Sequence, residues 1–187
     1  MSATAIHRKS AASFEELKPA CQILILHEDF SAYTRAVEVC RRLMEQFASE
    51  LDFDIKCWSF LELAEPDCAR HAAKTAGAAD IILLAMPAPA FPAVLERWLD
   101  VFFATRFRTD GALALVLNEP DSSPTALEKL LARLEQLAGR LGMDFVPLLS
   151  GNEAAVLGIL PTEDWPATGV PLEIPDRPHA DHWGLNE

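Results

Sequence analysis

The sequence lacks the short motifs that mark the common nucleotide-binding and hydrolytic sites. It contains no GxGxxG, no P-loop, no GxSxG and no HExxH. Each of these motifs sets a phosphate-binding turn, a nucleophile or a pair of zinc ligands at a fixed spacing. No such motif therefore assigns a function to this chain.

Long hydrophobic runs and paired cysteines are also missing. No apolar run reaches the length of a transmembrane helix, and residues 1–20 have no apolar core of the kind found in signal peptides. The cysteines form no CxxC pair and have no zinc-site spacing; they are Cys21, Cys40, Cys57 and Cys68. We therefore expect a cytoplasmic protein whose cysteines are buried, reduced thiols.

Lysine and arginine are scarce. The chain has 16 of them against 28 aspartates and glutamates, which gives a net charge of -12. Sequence-independent nucleic-acid binding requires a basic surface, and so does adsorption to an anionic membrane. We expect neither kind of partner. Half of the residues are hydrophobic, which favours a folded core over disorder.

The chain is organised around residues 79–103, ADIILLAMPAPAFPAVLERWLDVFF. The apolar run from Ile81 to Leu84 is short and is followed by Pro87 and Pro89, which favours a strand buried on both faces of a parallel sheet. Pro92 then stands where a helix would begin. Strand, turn and helix together form half of a βαβ unit.

The same reasoning extends along the whole chain. Strands are predicted at residues 21–26, 53–60, 81–84, 111–118 and 144–149, with a helix between each pair. Asp29 or Ser31 is predicted to cap the first helix, and Gly142 to end the fourth. Pro147 removes a hydrogen-bond donor from the fifth strand and so predicts an edge position.

This element order predicts an α/β fold with three layers and a doubly wound, five-stranded parallel sheet in the order 2-1-3-4-5. We divide the chain into an N-terminal tail (1–19), this domain (20–150) and an extended, Pro-rich C-terminal extension (151–187). Trp165 and Trp183 are expected to anchor the extension on the domain surface.

Ligands of open α/β sheets bind beyond the carboxyl ends of the strands, near the switch between the first and third strands. This rule brings together residues 27–34, 86–91, 118–121 and 150–153.

On the segment at 79–100, where a strand ends in a small-residue and proline loop and a helix follows, the chain resembles the flavodoxin-like NAD(P)H-dependent FMN reductases. The resemblance implies FMN as the cofactor. The cofactor-binding residues that it implies are Ser31, Thr34, Pro87, Ala88 and Asn118. The closing HWGLNE and the earlier WSF are also similar to a group of bacterial proteins without an assigned activity.

The loop after the first strand departs from the reductase pattern. It reads HEDFSAY, with Glu28 and Asp29 in place of glycine and hydroxyl residues. The acidic pair resembles the magnesium-binding acids of response-regulator receiver domains. The phosphoacceptor aspartate of those domains is replaced here, since Ala85 and Met86 stand at the end of the third strand.

Other polar clusters offer weaker metal or acid–base sites. Glu28, Asp29, Glu119 and Asp121 could meet at the crevice, but helix capping and solvation explain them equally, so no metal is predicted. His27 could act as a general base, although no nucleophile is assigned to it. The tail also carries ligand-type residues, namely His179, Asp181 and His182.

The helix containing Trp98 and Phe102 is apolar on more than one face. This predicts either a homodimer through that helix or cover by the C-terminal extension. Two functions follow from the sequence. The first is a non-catalytic binding or interaction module, and the alternative is an FMN-dependent NAD(P)H oxidoreductase with an atypical phosphate loop. A crevice filled by Phe30, Met86 and Phe91 would favour the first.

Overall fold

The computed structural model describes residues 18–106, 108–117 and 123–149. In these residues five strands alternate with four α-helices, and a 3-10 turn at Glu62–Ala64 precedes the second helix. The strands are β1 (Ala20–His27), β2 (Asp52–Ser59), β3 (Ile81–Met86), β4 (Ala112–Leu117) and β5 (Asp144–Leu149). The helices are α1 (Phe30–Phe47), α2 (Pro66–Ala78), α3 (Ala93–Thr105) and α4 (Pro124–Leu141).

The strands form one parallel sheet in the order β2-β1-β3-β4-β5. The predicted topology is confirmed, and the fold is flavodoxin-like. β3 lies at the centre and is almost wholly buried, as its unbroken apolar run predicts. β5 lies at an edge, where the missing donor of Pro147 is tolerated. β2 is the other edge strand, and its alternate residues are exposed.

The direction of the chain decides which helix covers which face. The connection from β1 to β2 crosses the sheet in one direction, and the connections from β3 to β4 and from β4 to β5 cross it in the opposite direction. Because crossovers are right-handed, α1 and the pair α3 and α4 lie on opposite faces. Among the described residues, α1 packs on one face, and α2, α3, α4 and the 3-10 turn pack on the other.

Two predicted helix boundaries are settled by backbone geometry. Pro92 is the N-cap of α3 and not its first helical residue, since its carbonyl oxygen accepts from the amides of Leu95 (3.0 Å) and Glu96 (3.2 Å) while its own ψ is extended. Gly142 ends α4 with φ 66°, as predicted. Ser123 precedes Pro124 as predicted, but its side chain makes no capping hydrogen bond.

Asp80 ties together the amino ends of three strands. Its carboxylate accepts from the amide of Gln22 (2.8 Å) and from the guanidinium of Arg108 (2.8 Å). Its carbonyl oxygen accepts from the amide of Ala112 at 2.8 Å. Gly111 permits this approach, because its φ is 105° and a Cβ there would lie 2.5 Å from the carbonyl oxygen of Asp80.

Several sequence predictions fall on other parts of the chain. Asn118, Glu119, Asp121 and the whole extension, with its two tryptophans and histidines, lie outside the described residues. The proposed division into tail, domain and extension stays a prediction. In the part of the chain that the structure describes, no helix combines the length and the apolarity required to cross a membrane.

Candidate functional site at the carboxyl ends of the strands

The carboxyl ends of β1 and β3 bring two of the predicted segments together. His27 pairs with Ala85 in the sheet, and the amide of Glu28 donates to the carbonyl oxygen of Ala85 at 3.1 Å. Residues 27–34 and 86–91 therefore start from adjacent positions at the carboxyl ends of β1 and β3. The other two segments, 118–121 and 150–153, lie outside the described residues.

Asp29 caps α1, the helix that follows the carboxyl end of β1. Its backbone is extended, and its Oδ1 accepts a hydrogen bond from the amide of Ala32 at 2.8 Å. Its carbonyl oxygen accepts from the amide of Tyr33 at 3.0 Å. The sequence allowed either Asp29 or Ser31 as the N-cap, and in the structure the N-cap is Asp29. One of the amides that would bind a phosphate at a helix N-terminus is thereby occupied by a carboxylate of the protein itself.

The two predicted phosphate-binding hydroxyls lie in the first turns of α1. Ser31 and Thr34 are both exposed. The Oγ1 of Thr34 donates to the carbonyl oxygen of Phe30 at 2.9 Å, so its hydrogen is directed back into the helix. A hydroxyl in this arrangement offers a phosphate only its lone pairs. The assignment of these residues to a cofactor stays a prediction.

Two adjacent acids, Glu28 and Asp29, are exposed on the loop that follows β1. Burial raises the pKa of Glu28 above its ordinary value, and the neighbouring charge of Asp29 raises it further. His27 lies alongside, with its Nδ1 3.2 Å from the carbonyl oxygen of Asp29 and its ring centroid 5.0 Å from that of Tyr33. In the described residues, no group of three or more His, Cys, Asp or Glu side chains is arranged to hold a metal ion.

The loop after β3 is compact. The amide of Ala90 donates to the carbonyl oxygen of Ala88 at 2.8 Å, and both Pro87 and Ala88 are partly buried. Met86, at the end of the strand, is fully buried. These residues follow the carboxyl end of β3, and the assignment of Pro87 and Ala88 to a cofactor stays a prediction.

Phe91 is covered by a charged side chain from α4. The guanidinium of Arg133 lies 4.1 Å from the ring centroid of Phe91, and its Nη2 donates to Oε1 of Glu96 at 2.6 Å. Sequence reasoning missed this cluster, because Arg133 is 37 residues from Glu96 along the chain. The face of Phe91 under Arg133 is closed to a stacking ligand. Of the three side chains expected to fill the crevice, Met86 and Phe91 are covered, whereas Phe30 points outwards.

Two large apolar side chains are strongly exposed at the carboxyl ends of the strands. Phe30 is 80% exposed and Leu61 is 82% exposed. They follow β1 and β2, which are adjacent strands with His27 opposite Ser59. The amide of Phe60 donates to the carbonyl oxygen of His27 at 2.7 Å, which joins the two loops. Leu61 was not predicted as a site residue. The apolar Phe-Leu pair between a strand and the acidic ELAEP segment is the signal that could have identified it.

A rigid turn holds Leu61 in place. Oε2 of Glu62 accepts hydrogen bonds from both the amide and the Oγ of Ser59, each at 2.8 Å. Phe60 is buried below the turn. Leu61 is therefore exposed on an ordered loop. A partner that binds it does not have to order the backbone at this position, so the entropy cost of binding is smaller.

The predicted dimer helix is buried within the chain itself. Trp98 and Phe102 are 2% and 1% exposed, and their rings stack at 5.0 Å. The exposed positions of α3 are Ala93, Glu96, Arg97, Asp100 and Ala104. The dimer through this helix stays a prediction.

The four cysteines, all of which lie in the described residues, form no disulfide with one another, as expected. Only Cys40 is fully buried, and the other three are partly exposed, which corrects the expectation that all are buried. Burial raises the pKa of Cys40 to about 12, with smaller contributions from Cys57 and Cys21.

Comparison with known proteins finds distant structural resemblances without a match in sequence. No protein-family model matches the sequence, and no curated protein is detectably similar to it in sequence. The flavodoxin-like domain of a Synechococcus protein is 19% identical, with a TM-score of 0.45, over 75% of this chain and 85% of that chain. General stress protein 14 of Treponema denticola, solved in complex with FMN, is 17% identical, with a TM-score of 0.39, over 74% of this chain and 91% of that chain. The description of the fold as flavodoxin-like rests on the order and direction of the five strands in this chain.

Proposed function

We propose that this protein is a non-catalytic binding module that docks a protein partner at the carboxyl ends of β1 and β2. The observation that carries the proposal is the exposure of Phe30 (80%) and Leu61 (82%) on the loops that follow these adjacent strands. Large apolar side chains that are held exposed in a polar surround are typical of interaction sites.

The charge around these two residues indicates the kind of partner. Glu28, Asp29 and Glu65 are exposed on the same two loops, and the chain as a whole carries a net charge of -12. Charge complementarity then favours a partner that surrounds an apolar anchor with lysine or arginine. A second copy of this chain would oppose acid to acid at this surface.

The alternative is an FMN-dependent NAD(P)H oxidoreductase. The phosphate of FMN would have to approach the amide that Asp29 caps at 2.8 Å. It would also add negative charge beside Glu28 and Asp29. Both effects oppose phosphate binding at this helix terminus, which supports the binding module over the flavoprotein.

Site-specific photo-crosslinking tests the proposal. A benzophenone amino acid is introduced at position 61 and, as a matched control, at exposed Glu135 on α4, and both proteins are irradiated in the producing cells. We expect a discrete adduct of one mass from position 61, none from position 135, and loss of the adduct when Phe30→Ser is added. Identical adducts from both positions would contradict the proposal.

Titration with FMN, followed by flavin fluorescence, tests the alternative. We expect no saturable quenching at micromolar FMN. Saturable quenching that weakens at least tenfold in Ser31→Ala or Thr34→Ala would instead assign a flavin site to the first turn of α1 and overturn the non-catalytic function.

A further inference from the structure

The edge strand β2 is paired on one side in the described residues, where it lies beside β1 over its full length. The amide of Asp52 donates to the carbonyl oxygen of Pro19 (3.1 Å), and the amide of Phe60 donates to that of His27 (2.7 Å), so both point to the β1 side. Backbone groups alternate in direction along a strand. The even-numbered residues of β2 therefore bond towards β1, and the outward row consists of Phe53, Ile55, Cys57 and Ser59.

The outward row of β2 is closed at its carboxyl end and open at its centre. The amide of Ser59 donates to Oε2 of Glu62 at 2.8 Å, which ends the row. Among the described residues, no loop or further strand bonds to the outward backbone groups of Phe53 and Ile55. The other edge strand, β5, is interrupted by Pro147, whereas β2 contains no proline. An open row of this kind is a template for a further strand.

The two faces of β2 restrict which strand can pair there. On one face Asp54 and Lys56 are exposed, and on the other Phe53 and Ile55 pack against the cluster under α1. Within the chain, Nζ of Lys56 lies 3.2 Å from Oδ2 of Asp54. A charged residue such as Lys56 opposes pairing with an apolar strand. The partner strand must therefore place an acid opposite Lys56 and a base opposite Asp54.

We propose that β2 pairs with β2 of a second copy of this chain, antiparallel and about a two-fold axis at Ile55. Two-fold pairing makes each contact twice, so Asp54 lies opposite Lys56 of the partner subunit and Lys56 lies opposite Asp54 of the partner subunit. The outward groups of Ile55 bond to those of the partner's Ile55, which places the flanking charged pairs at the closer spacing of an antiparallel ladder. The two five-stranded sheets become one continuous sheet.

The charges of β2 select this register over its neighbours. An axis at Asp54 or at Lys56 would place that side chain opposite its own copy, and an axis at Phe53 would place Asp52 opposite Asp54. A slip of one residue in one strand would turn the charged face of one copy to the apolar face of the other. The axis at Ile55 pairs opposite charges on one face and apolar side chains on the other.

The antiparallel arrangement also keeps the acidic loops of the two copies apart. The carboxyl end of each β2 lies beside the amino end of the other, so the loops that carry Phe30 and Leu61 are at opposite ends of the dimer. The dimer is independent of the proposed docking function and leaves both of those surfaces accessible.

Charge reversal in the full-length protein tests the pairing by sedimentation velocity from micromolar to millimolar concentration. We expect the native protein to dimerise, and Asp54→Lys and Lys56→Asp each to weaken dimerisation at least tenfold, because each opposes like charges twice. An equimolar mixture of the two variants should dimerise as the native protein does, since each variant supplies the charge that the other lacks. Both positions are exposed, so the reversals leave the core unchanged.

The matched controls make the same charge changes away from β2. Asp144→Lys on β5 and Lys129→Asp on α4 alter exposed positions and should leave dimerisation unchanged. Exchange of the Ile55 amide in the native protein should slow as the concentration rises. A native protein that stays monomeric at millimolar concentration, a dimer that both reversals leave intact, or a mixture of the two variants that stays monomeric would each overturn the proposal.

Discussion

The indole nitrogen of Trp98 on α3 donates a hydrogen bond to the backbone carbonyl oxygen of Ala69 on α2 over 3.1 Å. The bond lies in the buried layer between the two helices, where water cannot replace it. It also explains why an indole is accommodated in the core, since its N–H requires an acceptor.

We expect Trp98→Phe to destabilise the fold by about 1–3 kcal/mol, because the carbonyl oxygen of Ala69 loses its partner and the smaller ring leaves space. Urea unfolding at neutral pH measures the change. Trp58→Phe on the edge strand β2, where the indole is only partly buried, is the control and should cost less. Equal losses for both variants would contradict this expectation.

Two glycines should respond in opposite directions to the same substitution. Gly111→Ala places a Cβ 2.5 Å from the carbonyl oxygen of Asp80 at φ 105°, and we expect a large loss of stability with disruption of the β3–β4 pairing. Gly139→Ala adds a Cβ with no heavy atom within 4 Å. Inside α4 it should stabilise by about 0.5–1 kcal/mol. Thermal unfolding of both variants measures the contrast, and a loss of stability in Gly139→Ala would contradict it.

Two glutamates are expected to give opposite pH dependences of stability. The pKa of Glu28 is raised above 4.5 by burial and by Asp29. As pH rises, Glu28 therefore loses its proton in the unfolded protein before it does so in the folded protein. The resulting destabilisation develops as pH rises from about 4.5 through the raised pKa of the folded state. Glu28→Gln should be more stable than the native protein above that range and equal to it in acid.

The pKa of Glu38 is lowered below 4.5, first by its hydrogen bond from Arg41. Its stabilisation is present above pH 4.5 and is lost as pH falls through the lowered pKa of the folded state. Glu38→Gln should therefore be less stable than the native protein at neutral pH, with the difference disappearing in acid. Unfolding midpoints from pH 3 to 8 measure both variants, and differences of the same sign would refute the assignment.

The sequence determined the fold because its signals are local. Apolar runs, proline positions and Gly142 define five strands and four helices in alternation, and the handedness rule leaves few ways to arrange them. Pro147 identified the edge strand, since a missing donor can be tolerated only there. The predicted strand boundaries differ from the observed ones by at most two residues. Differences arise because end residues such as His27 depend on pairing with neighbouring strands.

The tertiary structure decided which side chains are available at the surface. Phe30 and Leu61 are exposed, whereas Trp98 and Phe102 are buried, and all four have the same apolar character in the sequence. The difference arises because burial depends on which elements pack together. The helix α2 packs against α3, whereas nothing in the part of the chain that the structure describes covers Phe30 and Leu61 on the loops after β1 and β2. Contacts between residues distant in sequence, such as Arg133 over Phe91, leave no local pattern from which they could be predicted.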